Sequence, residues 1–211
     1  MKVLIGCEES QTVCKAFRAR GHEAYSCDIQ QCSGGHPEWH LQASIMEIIK
    51  IKWDLAIFHP PCTYLSHAGN GYFNVSKYGD KALKRAELRN EAMTFFRTLY
   101  AAEIPKICIE NPVGAMNSIM PPTQVIEPYF FGDGHKKRTC LWLKGLPPLF
   151  HSKCDDMFSK CTHVAAEPIY IDKSGKKRFF TDAISGGRET TQKERSKTFQ
   201  GIADAMAAQW G

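Results

Sequence analysis

Residues 2–28 read KVLIGCEESQTVCKAFRARGHEAYSCD, and they contain two short apolar runs on either side of an amphipathic stretch. The pattern predicts a buried strand at 2–5, a helix at 11–20 that ends before Gly21, and a second strand at 23–27. Strand–helix–strand units of this kind build parallel sheets with helices on both faces. The opening of the chain therefore predicts an α/β fold with a mostly parallel, twisted sheet.

The same alternation continues along the rest of the chain. Apolar runs predict strands at 55–58, 106–109 and 139–143, and helical spacing predicts helices at 45–51, 81–102 and 197–210. Residues 168–171 and 177–180 predict a hairpin around an Asp-Lys-Ser-Gly turn. The long polar segment 63–80 predicts a loop that serves as a lid. We expect a core at 1–150, a small basic insertion at 151–192, and a closing helix within 193–211 that returns to the core.

The composition is that of an ordinary globular domain, with 211 residues, 43% apolar and 23% charged. It excludes disordered and fibrous classes. No apolar run reaches the roughly 20 residues that span a bilayer, so the sequence predicts neither export nor a membrane partner. Nine cysteines without a repeating spacing indicate thiols in a reducing cytosol. The net charge of +5 permits a polyanionic partner.

Two chemically reactive side chains follow neighbouring predicted strands. Cys62 comes after the strand 55–58 through a Pro60-Pro61 elbow, whose fixed φ angles hold the thiol in a defined place. Such a cysteine suits a nucleophile, and a small buried apolar side chain is the alternative. Glu110 follows the strand 106–109 and is expected beside Cys62, unless it is an ordinary surface or capping acid. A thiolate next to a carboxyl suits attack on an electron-poor ring whose nitrogen must be protonated.

The loops after the first two predicted strands predict a small-molecule site. Residues 6–11 contain one glycine and two acids, so they form no phosphate loop; they suit a cationic or zwitterionic group, or an ordinary turn. Asp28 ends the second strand, where a carboxylate accepts the two hydroxyls of an adenosine ribose. A plain solvated carboxylate is the alternative interpretation of Asp28.

With these motifs in order, the chain resembles the DNA cytosine-5 methyltransferases, and it is most similar to a compact phage-type branch of that family. The resemblance runs nearly from end to end, and each motif follows its expected strand. The stretches that carry it are Cys7-Glu8, Ser26-Cys27-Asp28, His59-Pro60-Pro61-Cys62-Thr63, Glu110-Asn111-Pro112-Val113-Gly114, 139–147 and 201–211.

The resemblance implies a Rossmann-like class I methyltransferase fold, S-adenosylmethionine as the cofactor, and duplex or single-stranded DNA as the partner, in a bacterial or phage-infected cytosol. A cytosine leaves the stack, Cys62 attacks its C6, and Glu110 donates a proton to N3. C5 then takes the methyl group, and loss of the C5 proton releases Cys62. Arg138 or Lys137 holds the base carbonyl, with Arg138 assigned to the catalytic set. The cofactor contacts implied are Gly6, Cys7, Glu8, Ser10, Asp28, Ile29, Ser44 and Pro60.

The chain departs from the family pattern in three places. The cofactor loop lacks Phe-x-Gly-x-Gly, and Ser44 stands at the adenine site where relatives carry an Asp. The recognition region is also short. That region is nonetheless basic: residues 151–197 hold ten Lys or Arg against seven Asp or Glu. Such cations suit a nucleic-acid backbone, and a solvated hairpin is the alternative. The predicted nucleic-acid contacts are Lys137, Lys173, Lys176, Lys177 and Arg178, with Lys77, Lys81, Lys84, Arg85 and Arg89 beside the lid.

Four other functions remain open at this stage. They are a catalytically inactive DNA-binding relative, a methyltransferase acting on free cytosine nucleotides, a methyltransferase acting on an exocyclic amine, and a hydrolase that pairs Cys62 with His59 or His67. A metal site is not expected, because the spacing of Cys154, Cys161 and His163 matches no usual zinc pattern.

Overall fold

The structure is a computed structural model, and it describes residues 1–153, 161–179 and 198–211. One seven-stranded sheet dominates it, with a separate two-stranded hairpin near the carboxyl end. The strands are β1 (Lys2–Gly6), β2 (Glu23–Asp28), β3 (His40–Gln42), β4 (Leu55–Phe58), β5 (Lys106–Pro112), β6 (Gln124–Ile126), β7 (Thr139–Lys144), β8 (Tyr170–Ile171) and β9 (Lys177–Arg178). The α-helices are α1 (Thr12–Ala19), α2 (Ile45–Ile48), α3 (Val75–Tyr78), α4 (Asp80–Ala101), α5 (Met116–Ile119) and α6 (Gln200–Trp210).

The sheet has the order β3-β2-β1-β4-β5-β7-β6. Strands β1 to β5 pair in parallel, whereas β7 runs antiparallel to both β5 and β6. The chain fills one side of β1 with β2 and β3 and then crosses to β4 on the other side. In open α/β sheets, ligands bind at such a reversal, beyond the carboxyl ends of the strands. The predicted α/β fold with a mostly parallel sheet is confirmed, and it is compatible with a Rossmann-like arrangement.

Both faces of the sheet are covered, because side chains alternate between faces along each strand. Val3 and Ile5 of β1 belong to a core shared with α1 and α6. Leu4 belongs to a second core, on the opposite face, with Phe96 and Leu99 of α4. The closing helix α6 thus packs against the same face of the sheet as α1. Within the described ranges, no helix is both long and apolar enough to cross a membrane.

The structure corrects some predicted elements. The segment 63–80 is not an unstructured lid, because it contains a 3-10 helix at His67–Phe73 and the short helix α3. The helix predicted at 45–51 is only one turn long, and strands β3 and β6 were not predicted. The hairpin is present, with two residues paired on each strand. Residues 180 and 197, at the ends of the predicted hairpin and closing helix, lie outside the described residues.

Candidate active site

Three adjacent strands bring the candidate active site together. Gly6 of β1 lies in register with Phe58 of β4, and Phe58 lies in register with Ile109 of β5. His59, the first residue after β4, and Glu110, the next residue of β5, therefore lie side by side. The backbone N–H of His59 donates to the Gly6 carbonyl over 2.9 Å, which extends the β1–β4 pairing by one residue. Parallel pairing thus fixes the start of the Pro60-Pro61 elbow.

His59 and Glu110 form a buried pair. The distance from His59 Nδ1 to Glu110 Oε2 is 3.1 Å, and the two side chains are 9% and 8% exposed. Burial alone would raise the pKa of Glu110, but the hydrogen bond from His59 and the positive charge of Lys137 outweigh it, so the pKa lies below its ordinary value. Glu110 is therefore ionised at neutral pH in this structure.

The turn that carries Cys62 is held against β5. The buried Asn111 side chain donates from Nδ2 to the Pro60 carbonyl over 2.7 Å. Beyond the elbow, the Cys62 carbonyl accepts from the N–H groups of Leu65 and Ser66, at 3.0 and 2.9 Å. Gly114 makes the close approach possible, because a Cβ there would lie 2.1 Å from the Leu65 carbonyl oxygen. Cys62 itself is partly exposed, as a nucleophile must be.

Burial distinguishes Cys62 from most other cysteines of the described residues. Burial raises the pKa of Cys7 and of Cys14 to about 12, and that of Cys27 to about 11. It also raises the pKa values of Cys108 and Cys140. These five thiols stay protonated at neutral pH, whereas Cys62 and Cys32 are the partly exposed thiols outside this group in the described residues.

The segment after Cys62 is anchored to α4 by two arginines. Arg85 donates to the Thr63 carbonyl over 2.9 Å, and Arg89 donates to the Tyr64 carbonyl and to Asn70 Oδ1, both over 2.7 Å. The Arg89 guanidinium also lies 3.7 Å from the centre of the Phe73 ring. Arg85 and Arg89 hold part of the segment 63–80 in place, and their expected contacts with phosphates stay a prediction.

The predicted cofactor residues of the first loop differ in their surroundings. A Cβ at Gly6 would lie 2.6 Å from the Phe58 ring, so this close packing requires glycine. Cys7 has a left-handed backbone, with φ 59°. Glu8 is buried, and its carboxylate accepts from the N–H groups of Val13 and Cys14 at the start of α1. Ser10 Oγ lies 3.4 Å from Thr12 Oγ1. Since both Glu8 oxygens are engaged by α1, its contact with a cofactor stays a prediction.

The other predicted cofactor contacts lie at the carboxyl end of β2, just before α2 and in the elbow after β4. Asp28 Oδ1 accepts from the N–H of Gln30 over 2.8 Å, which leaves Oδ2 without a hydrogen bond in the described part of the chain. Ile29 is 76% exposed. Ser44 precedes α2, is exposed and makes no side-chain cap hydrogen bond. Pro60 is buried under the Asn111 side chain.

Lys137 and Arg138 lie on opposite sides of the chain that enters β7. Glu110 pairs with Leu141 and Pro112 pairs with Thr139, so the two-residue period places Lys137 on the Glu110 face. The half-buried Lys137 lowers the pKa of Glu110. Arg138 is exposed, and its charge opposes the rise that burial causes in the pKa of Glu127. The predicted catalytic role of Arg138 stays a prediction, and the charge arrangement favours Lys137.

In the hairpin β8–β9 the lysines are exposed, whereas Arg178 is paired with Asp172. Asp172 accepts from Arg178 Nε over 2.8 Å and lies 2.7 Å from Arg178 Nη2. Hydrogen bonds from the Ser174 hydroxyl and from the Lys176 N–H hold the pKa of Asp172 well below its ordinary value. Three predicted nucleic-acid contacts are exposed: Lys173, Lys176 and Lys177.

The described residues contain no group of three or more His, Cys, Asp or Glu side chains that could hold a metal ion. Of the three residues considered from the sequence, Cys154 lies outside the described residues. His163 is described, and its Nε2 lies 2.7 Å from His151 Nδ1.

Sequence reasoning missed three contributors to the site. His59 was weighed only as a partner of Cys62, whereas its side chain contacts Glu110. Asn111 was noted as part of a motif, without its hydrogen bond to Pro60. Thr198 was not considered, although its hydroxyl lies 3.4 Å from His59 Nδ1. The histidine before the two prolines was the available signal, because it occupies the end of a buried strand.

Comparison of the chain with protein-family models and with curated proteins gives no match.

Proposed function

We propose that the protein is a DNA cytosine-5 methyltransferase that uses S-adenosylmethionine. One observation carries the proposal: the partly exposed Cys62 lies on the turn after β4, and the buried Glu110 lies near the carboxyl end of the adjacent parallel strand β5. A nucleophile and a carboxyl at one sheet edge suit covalent attack on a pyrimidine ring, because the ring nitrogen needs a proton as the carbon–sulfur bond forms.

The reaction proceeds through the chain's own groups as follows. The Cys62 thiolate forms a bond to C6 of a cytosine that has left the base stack, while the carboxyl of Glu110 places a proton on N3. The electron pair displaced from the C5–C6 double bond makes C5 nucleophilic. The bound cofactor supplies the methyl group for C5. A water molecule then takes the C5 proton, the C5–C6 double bond forms again, and the electron pair of the C6–S bond returns to Cys62.

The residues at the end of β2 fit the adenosine part of the cofactor. Asp28 has a carboxylate oxygen open to the two ribose hydroxyls, and the exposed Ile29 offers an apolar surface to the adenine. Gly6, which has no room for a Cβ, keeps the first loop close to β4. Cys7, Ser10 and Ser44 complete the set that would hold the cofactor.

The nature of the methylated product tests the proposal. The protein is incubated with S-adenosylmethionine and with duplex DNA, single-stranded DNA or a cytosine nucleotide, and the bases are separated and identified by mass spectrometry. We expect 5-methylcytosine from DNA. A product methylated on the exocyclic amine would contradict the proposal, and activity on the free nucleotide alone would replace DNA as the substrate.

Two observations favour a second candidate, a DNA-binding relative that transfers no methyl group. Both oxygens of Glu8 accept from α1, and Ser44 supplies no carboxylate at the predicted adenine site. Calorimetric titration with S-adenosylmethionine separates the two candidates. Binding heat that Asp28→Ala abolishes supports the enzyme, whereas the absence of heat together with retained DNA binding supports the second candidate.

A further inference from the structure

His59 is a buried side chain whose two ring nitrogens have different surroundings. Nδ1 lies 3.1 Å from Glu110 Oε2 and 3.4 Å from the Thr198 hydroxyl. Nε2 is buried and has no hydrogen-bond partner among the described residues. A buried polar atom without a partner costs about 1–3 kcal/mol, so a native structure retains one where it has a use.

The backbone position of His59 is fixed both by a hydrogen bond to the sheet and by the proline that follows it. Its N–H donates to the Gly6 carbonyl, and the following Pro60 restricts its backbone to extended conformations. Asn111 fixes the Pro60 carbonyl from β5. The imidazole therefore stands beside the Glu110 carboxyl as part of the scaffold.

Two carboxyl groups act on this imidazole from different elements. Glu110 of β5 contacts it, and the charge of Glu8, in the loop before α1, interacts with that of the ring. The Thr198 hydroxyl comes from the segment before α6, and Lys137 adds a positive charge near Glu110. Burial raises the pKa of Glu8, and the charge of His59 opposes that effect.

If the proposed function holds, the His59–Glu110 pair needs a source for the proton that reaches N3. Glu110 must give a proton to N3, yet its lowered pKa leaves it ionised at neutral pH. The His59 ring contacts the Glu110 carboxyl directly, so it is the side chain placed to hand that carboxyl a proton.

We propose that His59 is a positioning and proton-holding residue, which orients the Glu110 carboxyl and passes to it the proton that reaches N3 of the base. The inference rests on the proposed function. As the Cys62 Sγ–C6 bond forms, the Nδ1–H bond of the doubly protonated His59 ring breaks and leaves a neutral ring with its proton on Nε2; the released proton moves to the Glu110 carboxylate, and that carboxyl protonates N3. When Cys62 leaves C6, the N3 proton returns to Glu110 and then to Nδ1, so the pair regains its initial charge.

The test compares His59→Gln, His59→Asn and the matched control His22→Gln, which lies at the amino end of β2, away from the site. Steady-state methylation of DNA is measured from pH 5.5 to 9. We expect His59→Gln to lower kcat about 100-fold at pH 7.5 with little change in KM, and to regain activity at acid pH, where Glu110 takes its proton from solution. His59→Asn restores a donor near Nδ1 but cannot titrate, so it should show the same pH profile as His59→Gln.

Each outcome separates the two proposals. If the wild type forms no covalent Cys62 adduct with DNA containing 5-fluorocytosine, both the proposed function and this inference fail. If the wild type forms the adduct while His59→Gln keeps the wild-type kcat and pH profile, only this inference fails. A wild-type profile in His59→Asn would leave His59 a purely orienting role and overturn the proton transfer.

Discussion

Replacing Asn111 by alanine should uncouple the Cys62 elbow from β5. The Asn111 side chain is 2% exposed and donates over 2.7 Å to the Pro60 carbonyl, two residues before Cys62. Its loss leaves a buried carbonyl without a donor, which costs about 2 kcal/mol of unfolding free energy. For a chain of this length, that corresponds to a fall in Tm of about 4–8 °C.

The same substitution should reduce the rate by more than the loss of stability explains. A reacting group displaced by about 1 Å loses on the order of 100-fold in rate, and the elbow is free to move by that amount without its tie to β5. We expect kcat to fall by this factor at a temperature where the variant is fully folded, while the affinity for S-adenosylmethionine is unchanged. Denaturation, calorimetry and methylation assays measure the three quantities.

Gln124→Ala is the matched control for Asn111→Ala. Gln124 exchanges two hydrogen bonds of 2.8 Å with the backbone of Leu149, far from Cys62. Its removal should lower Tm by a similar amount and leave kcat unchanged. The reasoning would be refuted if Asn111→Ala kept the wild-type kcat, or if both variants lost activity in equal proportion.

Three further predictions concern the lid, the charge of the site and the hairpin. Arg89→Lys removes the planar donor pair that holds Tyr64 and Asn70, so amide exchange in residues 63–78 should accelerate while Tm changes little; unchanged exchange would show that Arg89 is not the anchor. Since the pKa of Glu110 is lowered by folding, its contribution to stability is present above the ordinary value of about 4.3 and is lost as the pH falls through the folded value. Glu110→Gln should therefore flatten the acid side of the stability profile, and an equally steep profile would contradict the assigned shift. Replacing the three exposed hairpin lysines by glutamine should reduce the salt slope of DNA binding by about 2–3, whereas Lys50→Gln should not; equal slopes would place the phosphates elsewhere.

The sequence predicts those strands whose side chains are buried on both faces of the sheet. Strands such as Leu55–Phe58 consist only of apolar residues, and their burial in the structure is complete. Strand β3, with the sequence His-Leu-Gln, has no such pattern. It forms because Ser26 of β2 pairs with His40 and because the His40 ring contacts both Ser26 and Gln30. Contacts of this kind depend on the tertiary structure, so no local pattern announces them.

The candidate site divides in the same way. The meeting of the Cys62 loop and Glu110 follows from the rule that parallel strands deliver their carboxyl ends to one edge. The sequence does not supply strand register, and the pairing of Glu110 with His59 depends on it. The preference for Lys137 over Arg138 depends on the register of β5 with β7 and on the two-residue period of the chain that enters β7. The contacts of Arg85 with the Phe73 ring and the Thr63 carbonyl likewise depend on the tertiary structure, so the sequence does not predict them.

The central claim is that Cys62 attacks C6 of a cytosine, and mapping a trapped adduct tests it most directly. The protein is incubated with S-adenosylmethionine and an oligonucleotide containing 5-fluorocytosine, where fluorine at C5 cannot leave as a proton does. The product is then digested and its cross-linked peptide sequenced by mass spectrometry. We predict one adduct on the peptide that contains Cys62, lost in Cys62→Ser and retained in Cys32→Ser. An adduct that survives Cys62→Ser, or one mapped to another residue, would contradict the account.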